Sequence, residues 1–456
     1  METKQLKENL FYSKKNVFST GDVDAAYEYA KKYMHFLDAA KTERESVAEG
    51  IKMAQAGGFR EYRLGYNIKI GDKLYYNNRD KNLFLFTVGS EPLENGIRIA
   101  AAHIDSPRLD LKQCPLYEES GMGFFKTHYY GGIRKYQWVA TPLALHGVIV
   151  NKDNERIEIV IGEDDTDPVF YINDLLPHLG ADQSKKPLGE AIPGEKLNLL
   201  AGSRPLGDGA DAIKLNILSI LNEKYGITEE DFLSAELSAV PAAKARDVGL
   251  DRSLIGAYGH DDRVCAYPAL TAIIDNADSA HTLMCILADK EEIGSEGISG
   301  MKCDVMEDII DAICAARGAN PAVVRSNSKC LSADVAAAYD PNFADVYEKR
   351  NSALLNHGVV LCKYTGSRGK SGTNDASAEY IGWLRSVMAK DNVIWQTSEL
   401  GRVDAGGGGT VAMYIAKHNI ETVDLGVPVI AMHAPYEIIA KTDLYEAAKA
   451  FGAFFK

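Results

Sequence analysis

The sequence has no long apolar run. Nothing in it approaches the roughly 18 to 20 uninterrupted apolar residues that a membrane helix requires, which argues against a membrane-spanning role. The opening residues, METKQLKENLFYSKKN, are charged and lack the apolar centre of a secretory signal. A cytoplasmic location is therefore expected. Positive charge is also scarce. Fifty Lys and Arg stand against 64 Asp and Glu, for a net charge of −14, so nucleic acid and anionic membranes are poor partners. Paired cysteines are missing: there are seven, an odd number without paired spacing, and they read as reduced thiols. Cys265, Cys285 and Cys362 lie inside apolar runs, where a buried inert thiol is expected. A phosphate loop is lacking too. Ala405–Thr410, AGGGGT, precedes the helix-like run TVAMYIAKH, but no Lys-Ser/Thr pair follows it. Close backbone approach to a substrate or a neighbouring segment is the better use of these glycines.

What is present suffices for a large core. With 456 residues and a 46% hydrophobic fraction, two domains are the natural division. Residues 22–56 carry apolar positions at helical spacing, and residues 57–110 read as several strands with turns. Residues 143–162 alternate apolar and polar residues around a turn at 151–154, a hairpin pattern. Residues 183–204 are polar, contain Gly and Pro and show no period; they read as loop. From Ile255 onward strand-like and helix-like stretches alternate, which predicts a mostly parallel sheet. The expected architecture is α/β. A discontinuous catalytic domain spans 1–106 and 245–456, and a β-rich insert spans 107–244.

Chemistry gathers at the ends of apolar runs. In Leu283–Glu296, LMCILADKEEIGSE, a buried-strand pattern runs into Glu291 and Glu292. Strand ends are where α/β folds bind ligands. Adjacent carboxylates at a dry strand end repel each other and call for a cation. In Ile97–Lys112, IRIAAAHIDSPRLDLK, His103 and Asp105 are spaced to share one side of an extended chain. In YGHDDRVCAY, Asp261 and Asp262 precede a helix-like run, where an Asp also serves as a helix cap. Asp334 follows the short run 328–333, and His433 ends the run in VDLGVPVIAMHAPYE. Each signal alone is weak. A lone Glu-Glu is usually a solvated turn, and a lone His is usually structural. Together they supply two histidines and several carboxylates without cysteine, a donor set for zinc, cobalt or manganese. That inventory exceeds one catalytic zinc and suits two metals sharing a carboxylate.

The segments AAHIDSPRLDLK, GHDDRV, DKEEIGS, SADVAAAYDP and LGVPVIAMHAPYEI resemble, in order and spacing, the motifs of the aspartyl aminopeptidase/aminopeptidase I family of two-zinc exopeptidases. The resemblance covers nearly the whole chain. It implies metal ligands at His103, Asp261, Glu292, Asp334 and His433, with Asp261 bridging both metals and Asp262 as the alternative one residue on. It implies a catalytic pair in Asp105, which orients His103, and Glu291, the general base. A cis peptide between Asp261 and Asp262 is implied as well. The cofactors would be two Zn²⁺ per subunit, with Co²⁺ or Mn²⁺ able to substitute. Substrates would be short peptides with a free N-terminus, acidic N-terminal residues among them. Acid preference would need a cation, for which Lys363 is the candidate and Arg368 and Lys370 are alternatives. The family's insert is a dimerisation domain and its subunits form a tetrahedral dodecamer. A neighbour's insert histidine can complete the site, here loosely matched by His178. Two readings compete: another two-metal amidohydrolase (a carboxypeptidase or an N-deacylase), and a catalytically idle assembly protein on the same fold.

Overall fold

The computed structural model describes residues 3–456. Two helices form early, Val23–Ala39 and Glu43–Ala56. The first buries Ala26, Ala30, Tyr33 and Leu37, three or four residues apart, the spacing of one helix face. The second starts at a capping box, in which Thr42 accepts from the Glu45 amide and Glu45 accepts from that of Thr42.

These helices pack on a nine-stranded sheet. At its centre Leu283–Ala288, buried at every position, runs parallel to Arg98–His103. Next come Lys329–Ser332 and Glu421–Gly426, both parallel to it. Helices and loops cover both faces of such strands, which explains the unbroken apolar runs. Four parallel neighbours deliver their C-terminal ends to one rim. His103 ends its strand, Glu291 and Glu292 follow Ala288, and Asp334 lies two residues past Ser332. The sheet as a whole is mixed: five of its eight pairings are parallel and three antiparallel. The antiparallel ones come from the hairpin Lys73–Asn78/Asn82–Thr87, its pairing with Leu283–Ala288, and Val359–Cys362 against Glu421–Gly426.

Segments from Arg108 to Pro241 build a seven-stranded sheet in which the pairings are antiparallel. Its apolar side buries Phe125, Trp138, Leu145 and Phe232. Helix Ala212–Tyr225 contributes Ile213, Ile217 and Leu221 to the same cluster. The hairpin is present as Pro142–Val150 against Arg156–Ile161. Residues 183–204 are not all loop. Leu199–Gly202 is a strand between Met122–Tyr130 and Phe170–Ile172. Four residues are too few to show a period, and pairing on both edges plus burial of Leu199 decides the conformation. A five-stranded sheet closes the arrangement, with Leu254–Ala257, Pro428–Ile430 and Glu437–Ala440 among its strands. Among the described residues no helix is long and apolar enough to cross a membrane, and the seven cysteines are free thiols.

The glycine-rich segment behaves as a close-packed wall. A Cβ on Gly406 would meet the Leu400 carbonyl oxygen at 1.8 Å, and one on Gly407 the Gly366 oxygen at 2.3 Å. Gly407–Gly408 pairs with Gly366–Ser367 as a two-stranded ribbon. The helix after it is short, Ala412–Ala416.

Candidate metal centre

At the rim of the large sheet two histidines face each other across one carboxylate. His103 Nε2 lies 3.1 Å from Asp261 Oδ1, and His433 Nε2 lies 3.2 Å from Asp261 Oδ2. His103 Nε2 is also 3.9 Å from Asp334 Oδ1, and His433 Nε2 is 3.5 Å from Glu292 Oε1. Two half-sites follow: His103, Asp261 and Asp334 on one side, and His433, Asp261 and Glu292 on the other. His103, Asp261 and Glu292 each offer a ligand atom within 4.8 Å of the others. The Asp261–Asp262 peptide is cis. Both Asp262 oxygens are buried without a hydrogen-bond partner.

The tautomers follow from what holds the rings. His103 Nδ1 lies 3.0 Å from the Asp105 carbonyl oxygen, and His433 Nδ1 lies 2.9 Å from that of Gly132. A carbonyl only accepts, so each Nδ1 carries the hydrogen and each Nε2 is left bare, aimed at carboxylate oxygen. Asp261 Oδ1 and Glu292 Oε1 are buried and receive no hydrogen bond. Lone pairs facing lone pairs at about 3 Å need a proton or a cation between them. In the cation-free chain protons take that place. Burial opposes charging of His433, yet Asp261 and then Glu292 push it up to about 10. Burial likewise opposes charging of His103, but Asp105, Asp261 and Asp334 raise it well above the usual range. Burial, reinforced by neighbouring carboxylates, raises Glu292 and lifts Glu291 to about 8. A divalent cation among these nitrogens and oxygens would resolve the same conflict, and the donor set suits zinc.

Supporting residues tie the elements together. Asp105 accepts from the backbone amides of Glu291 at 3.1 Å and Glu292 at 3.2 Å, and from the Tyr130 hydroxyl at 2.8 Å. Its carboxylate therefore fixes the turn carrying the glutamates, while its carbonyl, nearer than its Oδ1 at 3.4 Å, orients His103. Glu437, buried, accepts from the backbone amides of His433 at 2.7 Å and Asp261 at 3.1 Å. Tyr130, Gly132 and Glu437 carry no sequence signal for these roles. A hydroxyl and a carbonyl have no motif, and Glu437 is one glutamate among many. Tyr130 and Gly132 come from the expected insert, which carries none of the metal-binding motifs.

A cavity of about 250 Å³ opens on the centre, lined by Asp261, Glu291, Asp334 and His433. Its far wall includes Tyr364, Glu399, Leu400 and the backbone of Gly407–Gly409. Of the residues expected at the substrate, Lys363 is not here. Its ammonium pairs with Asp375 at 2.5 Å and it lines a different hollow. Successive strand residues alternate sides, and Cys362 takes the cavity side. Lys370 pairs with Asp375 at 2.9 Å, and with Arg368 it lines an adjoining cavity. His178 stands in the exposed turn Pro177–Leu179 of the seven-stranded unit and does not line the cavity of its own chain.

Residues 36–455 match the family model described as aminopeptidase I zinc metalloprotease (M18). A relative from Clostridium acetobutylicum, named probable M18 family aminopeptidase 1, is 49% identical over 99% of this chain and 96% of its own length. The crystal structure of an M18 family aminopeptidase from Thermotoga maritima superposes with a TM-score of 0.94 at 43% identity, covering 98% of this chain and 100% of that one. The fold extends to a S. cerevisiae mApe1 structure described as a dodecamer, with a TM-score of 0.78 at 21% identity over 94% of this chain and 96% of that one.

Proposed function

This chain belongs to the M18 family of aminopeptidase I zinc metalloproteases, and from that membership we propose how its residues divide the work. It is a zinc aminopeptidase, a hydrolase acting on the N-termini of peptides. Our reading is a two-ion centre. His103 and Asp334 would hold one ion and His433 and Glu292 the other, with Asp261 offering an oxygen to each; cobalt or manganese could take the place of zinc. The observation that carries it is the split of Asp261, one oxygen toward each bare histidine nitrogen. Asp262, whose buried oxygens pair with neither histidine among the described residues, is the weaker candidate for the bridge.

Bound zinc ions supply a lowered water pKa and a polarised carbonyl. The chain's own residues do the rest. Glu291 lines the cavity beside Asp261 and Asp334; it takes the proton of the attacking water and hands it to the leaving amine. Asp105 fixes the backbone that carries Glu291 and Glu292. The competing readings have less support. A carboxypeptidase needs a cationic clamp for the terminal carboxylate, and the cavity lining contains no Lys or Arg. An idle assembly protein has no use for this donor set. Hydrolysis of free-amine peptides with N-acetylated ones spared is the expected outcome; equal cleavage of both would contradict it.

We further propose the division into 1–106 with 245–456 and an insert 107–244 that mediates dimerisation, with dimers assembling into a tetrahedral dodecamer. Exposed apolar residues Leu175, Leu176, Leu179 and Leu188 in that insert, and the dodecameric yeast neighbour, support it. His178 sits among those leucines, and its proposed role is to reach a neighbouring subunit's cavity. The seven free thiols support a reducing, cytoplasmic setting.

A further inference from the structure

The cavity beside the metal centre contains one carboxylate that the centre does not use. Asp261, Glu291 and Asp334 belong to the site proposed above, whereas Glu399 stands on the far wall. The Tyr364 hydroxyl donates to Glu399 Oε1 at 2.7 Å. Glu399 makes no ion pair with Lys or Arg among the described residues, and its Oε2 has no protein donor there. Two divalent cations would offset the charge of the centre and leave Glu399 without a direct ion-pair partner. The lining combines apolar and aromatic side chains, Val335, Ala336, Leu400, Met432 and Tyr364, with the hydroxyls of Thr365, Ser398 and Thr410. A partly apolar wall that carries a carboxylate without an ion pair matches a side chain with an aliphatic stem and a cationic head.

Cations do stand nearby in two adjoining hollows that Glu399 also borders, yet none of them forms an ion pair with it among the described residues. Arg368, Lys370 and Arg402 line one adjoining cavity, which shares Tyr364, Glu399 and Leu400 with this one but none of the metal-centre carboxylates. The Lys370 ammonium lies 3.7 Å from the centroid of the Tyr364 ring and is held by Asp375, and Arg402 Nε donates to the Tyr347 carbonyl oxygen. Among the described residues that line this cavity, only His433 can carry positive charge, and it is already assigned to metal. An acidic substrate side chain there would meet Glu399 with no cation to receive it, and unpaired like charge is a discriminating penalty.

Resting on the active-site reading above, we propose that Glu399 determines specificity and that the enzyme favours peptides beginning with lysine or arginine. Glu399 receives the side-chain cation of the N-terminal residue, and Tyr364 holds the carboxylate in place. The α-amine is adjacent to the scissile carbonyl and stays at the metal side of the cavity.

The test uses the full-length, zinc-loaded enzyme and fluorogenic amides of lysine, arginine, norleucine and glutamate. Norleucine keeps the stem and removes the charge. The wild type should show higher kcat/KM on lysine and arginine than on norleucine, with glutamate lowest. Glu399→Gln should lower the lysine-to-norleucine ratio by about 10- to 100-fold, the worth of a charge-assisted contact, with the change mainly in KM. Glu399→Arg should move the preference toward glutamate. A wild type that prefers glutamate or norleucine overturns the proposal without any variant. So does an unchanged ratio in Glu399→Gln, or an equal loss on all four substrates, which would assign Glu399 to the α-amine. If the zinc-loaded wild type cleaves none of them, the active-site reading fails, and not merely its specificity.

Discussion

Replacing Glu437 with glutamine perturbs both halves of the metal centre through a residue that need not touch metal. Glu437 spends one oxygen on the His433 amide at 2.7 Å and the other on the Asp261 amide at 3.1 Å. Glutamine has one oxygen. In either orientation one buried N–H faces an NH₂ group, and a buried donor without an acceptor costs about 1–3 kcal/mol. The affected backbone belongs to the bridging carboxylate or to the histidine of one half-site. The cost should therefore appear as weaker zinc binding, about 10- to 100-fold as for other groups that orient ligands. The cation-free protein should notice less. Burial, then the charge of Asp261, pushes Glu437 up to about 8, so at neutral pH without metal the native residue is already largely protonated. The assay is competition for zinc with a chromogenic chelator, alongside kcat at rising zinc. The expected result is weakened affinity, turnover restored by excess zinc, and an apo-protein melting near that of wild type. Wild-type zinc affinity in Glu437→Gln would refute the claim that these two hydrogen bonds hold the ligands.

Other outcomes follow from the same geometry. Glu291→Gln should lose about 10²–10⁴-fold in kcat while its zinc content stays at the wild-type level; near-normal turnover would remove Glu291 from the role of base. Asp424 is pushed up to about 7 by burial and by the charge of Asp334, against the opposing effect of the Thr410 and Ser332 hydroxyls. A carboxyl pKa raised in the folded state means stability is lost as pH rises from the usual range near 4 through 7, so Asp424→Asn should gain up to about 4 kcal/mol over wild type at pH 8. Chemical denaturation should show a smaller gain at pH 5, and an equal difference at both pH values would contradict the burial argument. Light scattering should find an oligomer that cleaves short peptides and spares folded proteins, against a fully active monomer as the refuting result.

The legible part of the site was the part made by parallel strands. LMCILA and IAAAH are continuous apolar runs because both faces are covered, and parallel pairing then sends His103, Glu291 and Glu292 to one rim. Charge at the end of such a run is visible in sequence without knowing the topology. Three kinds of feature were not. The antiparallel edge pairings of the large sheet look like any other strand in isolation, so a mostly parallel sheet was expected where a mixed one exists. Leu199–Gly202 is a strand only because two neighbours pair with it. The facing of Lys363 depends on a single residue of register, and alternation along the chain sends it to Asp375, away from the cavity. Support from Tyr130 and the Gly132 carbonyl was hidden for another reason: it crosses from the seven-stranded sheet to the metal centre through groups that leave no pattern in a sequence.

Metal content measured against enzyme activity bears most directly on the two-ion centre. Chelator-stripped protein titrated with zinc, with bound metal counted by mass spectrometry at each point, should reach full activity as occupancy approaches two zinc ions per chain. Full activity at one ion per chain, with no further rise, would contradict a centre in which Asp261 is shared between His103 and His433.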